Sequence, residues 1–385
     1  MYNDLIRFIR DLWHTSGDIG LHDSTLIGRE KEYLADVVES TVVSSIGQYV
    51  DKFESGIQDF TLAPGAVATV NGSAAIHTAL MLAGVRQGDL VITQALTFVA
   101  GVNVMQHMGA RPVFIDVSPN SLGLCPSALR DWLADNAAVD DSGVCRHRAS
   151  GRTIRAAMPM HTFGHPMEME ELLAVCAIWG IAVLEDAAQS LGSLYGGRHT
   201  GTLGDYGVLS FNGNKVITTG GGGAILCSSE SARDRAKFIT TNAKRRHRWD
   251  YYHEEPGFNY RMPNLNAALG CAQIEYLRHF LHCKRLLACR YREYLADTPL
   301  TFQDEPSWGK SNFWLIAVLC PDVASRDALL RETNNAGVTT RPVWQPMHRL
   351  PMYESDLRDG LEITEYLAES LVNLPSGILS HLADD

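Results

Sequence analysis

The stretch IAVLEDAAQSLGSLYGGRHTGTLGDYGVLSFNGNKVITTGGGGAILC, residues 181–227, decides how this chain folds. It holds three short apolar runs, 181–184, 208–211 and 224–227. Each is bounded by turn residues, which is how buried strands read. The first run ends on two acids, Glu185 and Asp186. The second leads into Asn212-Gly213-Asn214-Lys215, and a glycine cluster, 220–223, precedes the third. An α/β sheet places its ligands at the carboxyl ends of its strands. Asp186 and Lys215 are therefore expected to face one crevice.

A buried carboxylate facing a lysine suits a Schiff-base cofactor. Pyridoxal phosphate is held through a lysine amine, and a neighbouring carboxylate keeps its ring nitrogen protonated. Lys215 is the candidate for the first role and Asp186 for the second. The motifs EDAAQ (185–189) and LSFNGNKVITTGGGG (209–223) resemble those of the DegT/DnrJ/StrS family of PLP-dependent nucleotide-sugar aminotransferases. The resemblance runs along nearly the whole chain. It is strongest to the branch serving legionaminic-acid-type and bacillosamine-type sugar pathways. It implies the type I fold of PLP-dependent transferases, which is aspartate aminotransferase-like. That fold is α/β, with a mostly parallel central sheet in a large domain and a smaller α/β C-terminal domain.

Composition agrees with a chain of that size and class. The 385 residues are more than one small core needs. They are divided here into an N-terminal arm (1–25), a large cofactor-binding domain (26–255) and an interface helix with the small domain (256–385). With 33 basic against 44 acidic residues the net charge is −11, which disfavours nucleic acid and anionic membrane as partners. No long uninterrupted apolar segment suggests a membrane span. The N-terminus mixes acids and arginines into its apolar residues and lacks a secretory h-region. Eight scattered cysteines form no C-x-x-C pair, which points away from a zinc site and toward a reducing cytoplasm.

The remaining site residues follow from local pattern and from the resemblance. Leu5, Ile6, Phe8, Ile9 and Leu12 recur at helical spacing, so the arm opens with a short helix. A strand at 66–70 leads through Asn71-Gly72-Ser73-Ala74 into a helix whose expected cap is Ser73. A helix N-terminus binds phosphate readily, and the resemblance gives Ser73 and Ala74 that role. By the same resemblance Phe98 stacks on the pyridine ring, Gln189 contacts the cofactor and Ser210 adds a phosphate contact. If a helix starts after Asp186, Gln189 shares its side. Many relatives carry an acid as the second residue of the glycine cluster, where this chain has Gly221.

His161 and His165 lie four apart but straddle Gly164 and precede Pro166, so they are read as structural rather than metal-binding, with His161 near the pocket wall. No metal is expected. The loop Lys244-Arg245-Arg246-His247-Arg248 offers arginines for bidentate contact with a diphosphate. In the family the GFNYRMP segment (257–263) reaches into the neighbouring subunit, with Asn259 on the cofactor phosphate there, which implies a homodimer with shared sites. A helix is expected over 264–281, strands at 312–319 and 338–343, and His348 near the sugar. The expected reaction is aminotransfer to a keto-deoxysugar, expected to be a UDP- or GDP-linked 4-keto-6-deoxy-2-acetamido sugar. Glutamate is the expected donor and pyridoxamine phosphate the amino-carrying form. A histidine in place of the lysine marks dehydratases among the relatives, and Lys215 argues against that alternative. A non-catalytic regulatory homologue need not keep Asp186, Gln189, Ser210 and Lys215 together.

Overall fold

The computed structural model describes residues 2–383. The first residue of the expected arm and the last two of the expected small domain lie outside the described residues. Seven strands make the body of the central sheet: β1 (Gly65–Thr69), β2 (Leu90–Gln94), β3 (Arg111–Ile115), β4 (Ile154–Met158), β5 (Ala182–Asp186), β6 (Tyr206–Ser210) and β7 (Gly223–Cys227). A two-residue strand, β8 (Leu357–Arg358), is added at one edge. The order across the sheet is β1-β7-β6-β5-β4-β2-β3-β8. Only β7 runs antiparallel to its neighbours.

The strands read as continuous apolar runs because both faces are covered. Alternation still sorts their side chains. Val183 joins Ile92, Val113 and Leu172 on one face, whereas Leu184 joins Ile76, Val91 and Val208 on the other. The same alternation separates the two acids at the end of β5. Glu185 is fully buried and accepts from the N–H groups of Gly201, Leu203 and Gly204 at 2.7, 2.6 and 2.7 Å. These bonds and His161 hold its carboxyl below the usual range despite burial. The loop 201–204 is thereby drawn tightly onto the sheet.

Gly207 in β6 lies beneath that loop. A Cβ there would sit 2.1 Å from the Gly201 carbonyl oxygen. Gly207→Ala must therefore push backbone from backbone. It is expected to cost about 3 kcal/mol or more, seen as a lower midpoint in thermal or urea unfolding. An unchanged midpoint would contradict this packing.

A helix of 32 residues, Asn264–Leu295, leads away from this sheet. It runs well past the expected end at 281. The sequence holds no helix breaker there, and the apolar stripe changes partners without a gap. Ala267, Ala268, Leu277 and Phe280 pack with Val50, Phe53 and Ile57. Leu287, Tyr291 and Leu295 pack with Ile316, Val318, Val372 and Leu374. The latter belong to a four-stranded antiparallel sheet in the order Thr301–Phe302, Ile316–Leu319, Leu371–Leu374, Arg341–Pro342. The last of these is all that forms of the strand expected at 338–343.

Two segments cross the divisions expected from sequence. The arm helix, Asn3–Trp13, buries Leu5 and Ile9 against Leu287 and Tyr291. In the other direction Met347, Tyr353 and Leu361 pack on Phe114 of the central sheet and on Ala95 and Val102 beside it. A small antiparallel hairpin, Ala137–Val139 with Cys145–His147, precedes β4. Asp140 and Arg146 pair within it at 2.6 Å.

Candidate active site

The carboxyl ends of β1, β2, β5 and β6 converge on a cavity of about 380 Å³. Its lining includes Ser73, Phe98, Asp186, Gln189, Ser210 and Lys215. Six of the eight residues assigned to the cofactor from sequence are thus brought to one space. Ala74 and Asn259 are the two that are not.

Lys215 follows β6 on the turn 212–215, which its own N–H closes onto the Asn212 carbonyl. Its Nζ lies 3.8 Å from the centre of the Trp314 ring. The Trp314 indole N–H donates to the Asn214 carbonyl at 2.7 Å, so one side chain both supports the amine and pins its loop. Loss of hydration lowers the Lys215 pKa to about 8, with Asp186 opposing. Asp186 is buried, and desolvation raises its pKa. Its Oδ1 accepts from Ala188 N–H at 3.1 Å. Among the described residues the two groups form no ion pair, so a gap separates them.

The phosphate end differs from expectation in its cap. Asn71, not Ser73, caps the helix Gly72–Leu82, its Oδ1 accepting from Ala74 N–H at 2.8 Å. A side-chain carbonyl one bond further out reaches that amide directly, so the Ala74 N–H is already engaged. The Ser73 hydroxyl and amide remain without a partner among the described residues. Gly72 brings the helix start against Ser210, since a Cβ on Gly72 would lie 3.3 Å from Ser210 Cβ. Gly223 lets β7 pass Asn71, where a Cβ would meet backbone at 2.6 Å.

Other positions are corrected. No helix starts after Asp186. Gln189 reaches the cavity from a turn, and its Oε1 accepts from Phe163 N–H at 2.8 Å. His161 does not line the pocket. Its Nδ1 accepts from Met167 N–H at 3.2 Å, which leaves Nε2 to donate to Glu185 at 3.0 Å on the far face of β5. His348 is turned away from the cavity as well, its Nε2 lying 2.5 Å from Glu365. Trp344, four residues earlier, reaches the cavity in its place. Arg245, Arg246 and Asn259 line a separate groove of about 730 Å³. Within one protomer they do not join Lys215, and Arg245 pairs with Glu254 at 2.7 Å.

Comparison with known proteins agrees with this geometry. Residues 25–385 match the DegT/DnrJ/EryC1/StrS aminotransferase family. The chain is a member of that family. GDP-perosamine synthase of Escherichia coli O157:H7 is 32% identical over 358 residues, covering 93% of each chain. The aminotransferase TlmJ from Streptoalloteichus hindustanus superposes with a TM-score of 0.83 at 25% identity over 94% of each chain. DesI, solved in the presence of its TDP-sugar product, gives 0.81 at 27% identity, over 93% of this chain and 88% of its own. As a member of the DegT/DnrJ/EryC1/StrS family the chain is an enzyme, a sugar aminotransferase dependent on pyridoxal phosphate, and its fold is the expected α/β one.

The residues present fit that cofactor. Ser73 and Ser210, whose hydroxyls have no hydrogen-bond partner among the described residues, flank a helix N-terminus, which suits a phosphate. Gly101 and Ala100 line the cavity beside Asp186; a Cβ on Gly101 would meet Met158 Cε at 2.7 Å and lie in ordinary contact with Asp186 Oδ2. That oxygen has no partner among the described residues and is available to a ring N–H. Sequence reasoning missed Trp314 and Trp344. Each lies in an ordinary apolar context, and neither carries a local signal of its role.

A second buried lysine lies behind the site. Lys284 Nζ donates to the Ser376 carbonyl at 2.6 Å, and among the described residues no carboxylate pairs with it. Burial lowers its pKa from 10.5 to about 7. Burial, with the charges of Lys284 and Lys215 adding to it, lowers the His22 pKa and drives it toward its neutral form. The folded state thus binds fewer protons than the unfolded one, so stability falls as pH drops from 10.5 toward 7. The full penalty is on the order of 4 kcal/mol. Lys284→Met is expected to raise the melting temperature more at pH 7 than at pH 10. Equal gains at both values would show that the amine is not desolvated.

Proposed function

We propose that the protein transfers an amino group from glutamate to a nucleotide-linked 4-keto-6-deoxy-2-acetamido sugar carrying UDP or GDP. The observation that carries the reading is the cavity in which the Lys215 amine and the Asp186 carboxylate stand apart, with a phosphate-binding helix start at one end. Bound pyridoxal phosphate supplies an aldehyde that captures the amino group and a ring that draws off electrons. Lys215 Nζ anchors the aldehyde in the resting enzyme. Once released by the donor, the same amine takes the proton from the donor's α-carbon, for which a pKa near 8 is well matched. With the cofactor bound, Asp186 would hold a proton on the ring nitrogen, and Gln189 and Phe98 would position the ring. Ser73 and Ser210 hold the phosphate. The retained lysine disfavours a dehydratase, and the assembled set disfavours a non-catalytic regulator.

The protein is proposed to act as a homodimer whose sites are shared. Leu26, Ile27, Val42, Val43 and Ile46 are exposed, and Ile46 lines the groove that holds Asn259, Arg245 and Arg246. Exposed apolar side chains of this kind mark protein contacts. Across the dimer Asn259 serves the partner's phosphate and the two arginines the nucleotide diphosphate. His348 acts on the sugar only if its bond to Glu365 opens. A cytoplasmic location is supported by the cysteine pattern. Among the described residues no helix is long and apolar enough to cross a membrane, and no cluster of metal-ligand side chains occurs.

The test is spectroscopic. The visible band of the cofactor-loaded enzyme is expected to bleach with glutamate and return with one member of a panel of UDP-, GDP- and dTDP-linked 4-keto sugars. A band indifferent to every donor and sugar would end the reading. Arg245→Ala and Arg246→Ala are each expected to raise the sugar-nucleotide KM about tenfold with little change in the glutamate KM. Unchanged constants would remove the loop from the site.

A further inference from the structure

We propose that the indole of Trp344 is the surface on which the pyranose ring of the acceptor lies, with its N–H donating to a sugar oxygen. This rests on the nucleotide-sugar reading of the cavity and names the residue that recognises the sugar within it.

The cavity holds two tryptophans whose commitments differ. Trp314 is fully engaged with the protein: its N–H is bonded to Asn214 and its face is under the Lys215 amine. Trp344 is not. Its N–H makes no hydrogen bond among the described residues, and it is only half-buried. An indole at a ligand cavity with a free N–H presents an apolar face and one directional donor.

The ring is nonetheless rigidly mounted. Val343 N–H is bonded to the Leu371 carbonyl at 3.2 Å, and Met347 N–H to the Ala95 carbonyl at 2.9 Å. Behind the indole, Phe163 packs at 5.1 Å between centroids and is itself fully buried. Phe163 has a φ of +55°, a conformation that β-carbon sterics disfavour, and its N–H is tied to Gln189. Strain of this kind persists where surrounding contacts over-determine it. Phe98 stands 6.1 Å from Trp344, tilted by 59°, and is half exposed at the cavity mouth.

The rest of the lining identifies the occupant of this wall. Ser73 and Ser210 mark the phosphate end, and Asp186 and Lys215 bracket the reacting ring. An apolar face does nothing for a dicarboxylate such as glutamate. It does match the C–H face of a pyranose, and the N–H matches a hydroxyl or acyl oxygen on that ring. Trp344 therefore separates the two substrates: it serves the acceptor and not the donor.

Trp344→Ala and Trp344→Phe test this in the cofactor-loaded enzyme and by calorimetry. The probes are glutamate, UDP, GDP, and the UDP- and GDP-linked 4-keto-6-deoxy-2-acetamido sugars. Trp344→Ala is expected to raise the sugar-nucleotide KM and calorimetric Kd about tenfold. The Kd of the bare nucleotide and the rate of the glutamate-driven spectral change should stay within about twofold. Trp344→Phe keeps a face and loses the donor, so its loss should be about threefold. The inference is overturned if Trp344→Ala leaves sugar-nucleotide binding intact, or weakens the bare nucleotide or the glutamate step equally. A wild-type enzyme that responds to glutamate but binds none of these sugars overturns the nucleotide-sugar reading and this inference with it.

Discussion

Lys215→Ala is expected to lower aminotransfer about 10⁴-fold or more while leaving the melting profile close to wild type. Two functions are lost together, the covalent anchor and the base at the donor's α-carbon, and no neighbouring side chain replaces them. Asp186 sits across the gap, and its carboxylate has one N–H partner on Oδ1. Trp314 offers only a ring face. The fold should tolerate the change because a desolvated ammonium resting on an indole contributes little net stability. The wild-type amine titrates near 8, so uptake of cofactor should quicken as pH rises through that value. The variant should show no such step. Substantial activity in Lys215→Ala, measured as amino-sugar formed from glutamate, would mean that the amine is not the reacting group.

Asp186→Asn is expected to cost about 10²- to 10³-fold in kcat. The substitution preserves shape, and the amide oxygen can still accept from Ala188 N–H. What disappears is the negative charge that keeps a proton on the facing ring nitrogen. Burial raises the Asp186 pKa, with the Ala188 N–H, Lys215 and His161 pulling the other way. A cationic ring bound against it would favour the ionised carboxylate. The variant should bind the phosphate end nearly as well as wild type, because Ser73, Ser210 and the helix start are untouched. A kcat within twofold of wild type would place the ring partner elsewhere.

Much of this site was legible along the chain. Short apolar runs ending in acids or glycines read as buried strands, and those of the central sheet formed within a residue or two of those bounds, whereas the strands expected at 312–319 and 338–343 shrank to Ile316–Leu319 and Arg341–Pro342. Asp186, Gln189, Ser210 and Lys215 lie within thirty residues, on consecutive strand ends and turns, so local pattern sufficed to place them at one edge. The helix cap was misread because Asn71 and Ser73 are both good caps, and only backbone geometry chooses between them.

The amino-acid sequence by itself determined the order of strands and turns, and hence which end of the sheet carries the lysine and the carboxylate. It did so because those features depend on neighbours only a few bonds away. Only the tertiary structure decided that Glu185 clamps the loop 201–204. The same holds for His161 and His348, which it turned away, and for Trp314 and Trp344, which close the site from 99 and 129 residues beyond Lys215. Those outcomes depend on which side chains meet after distant segments pack, and burial pressure over the whole chain fixes them.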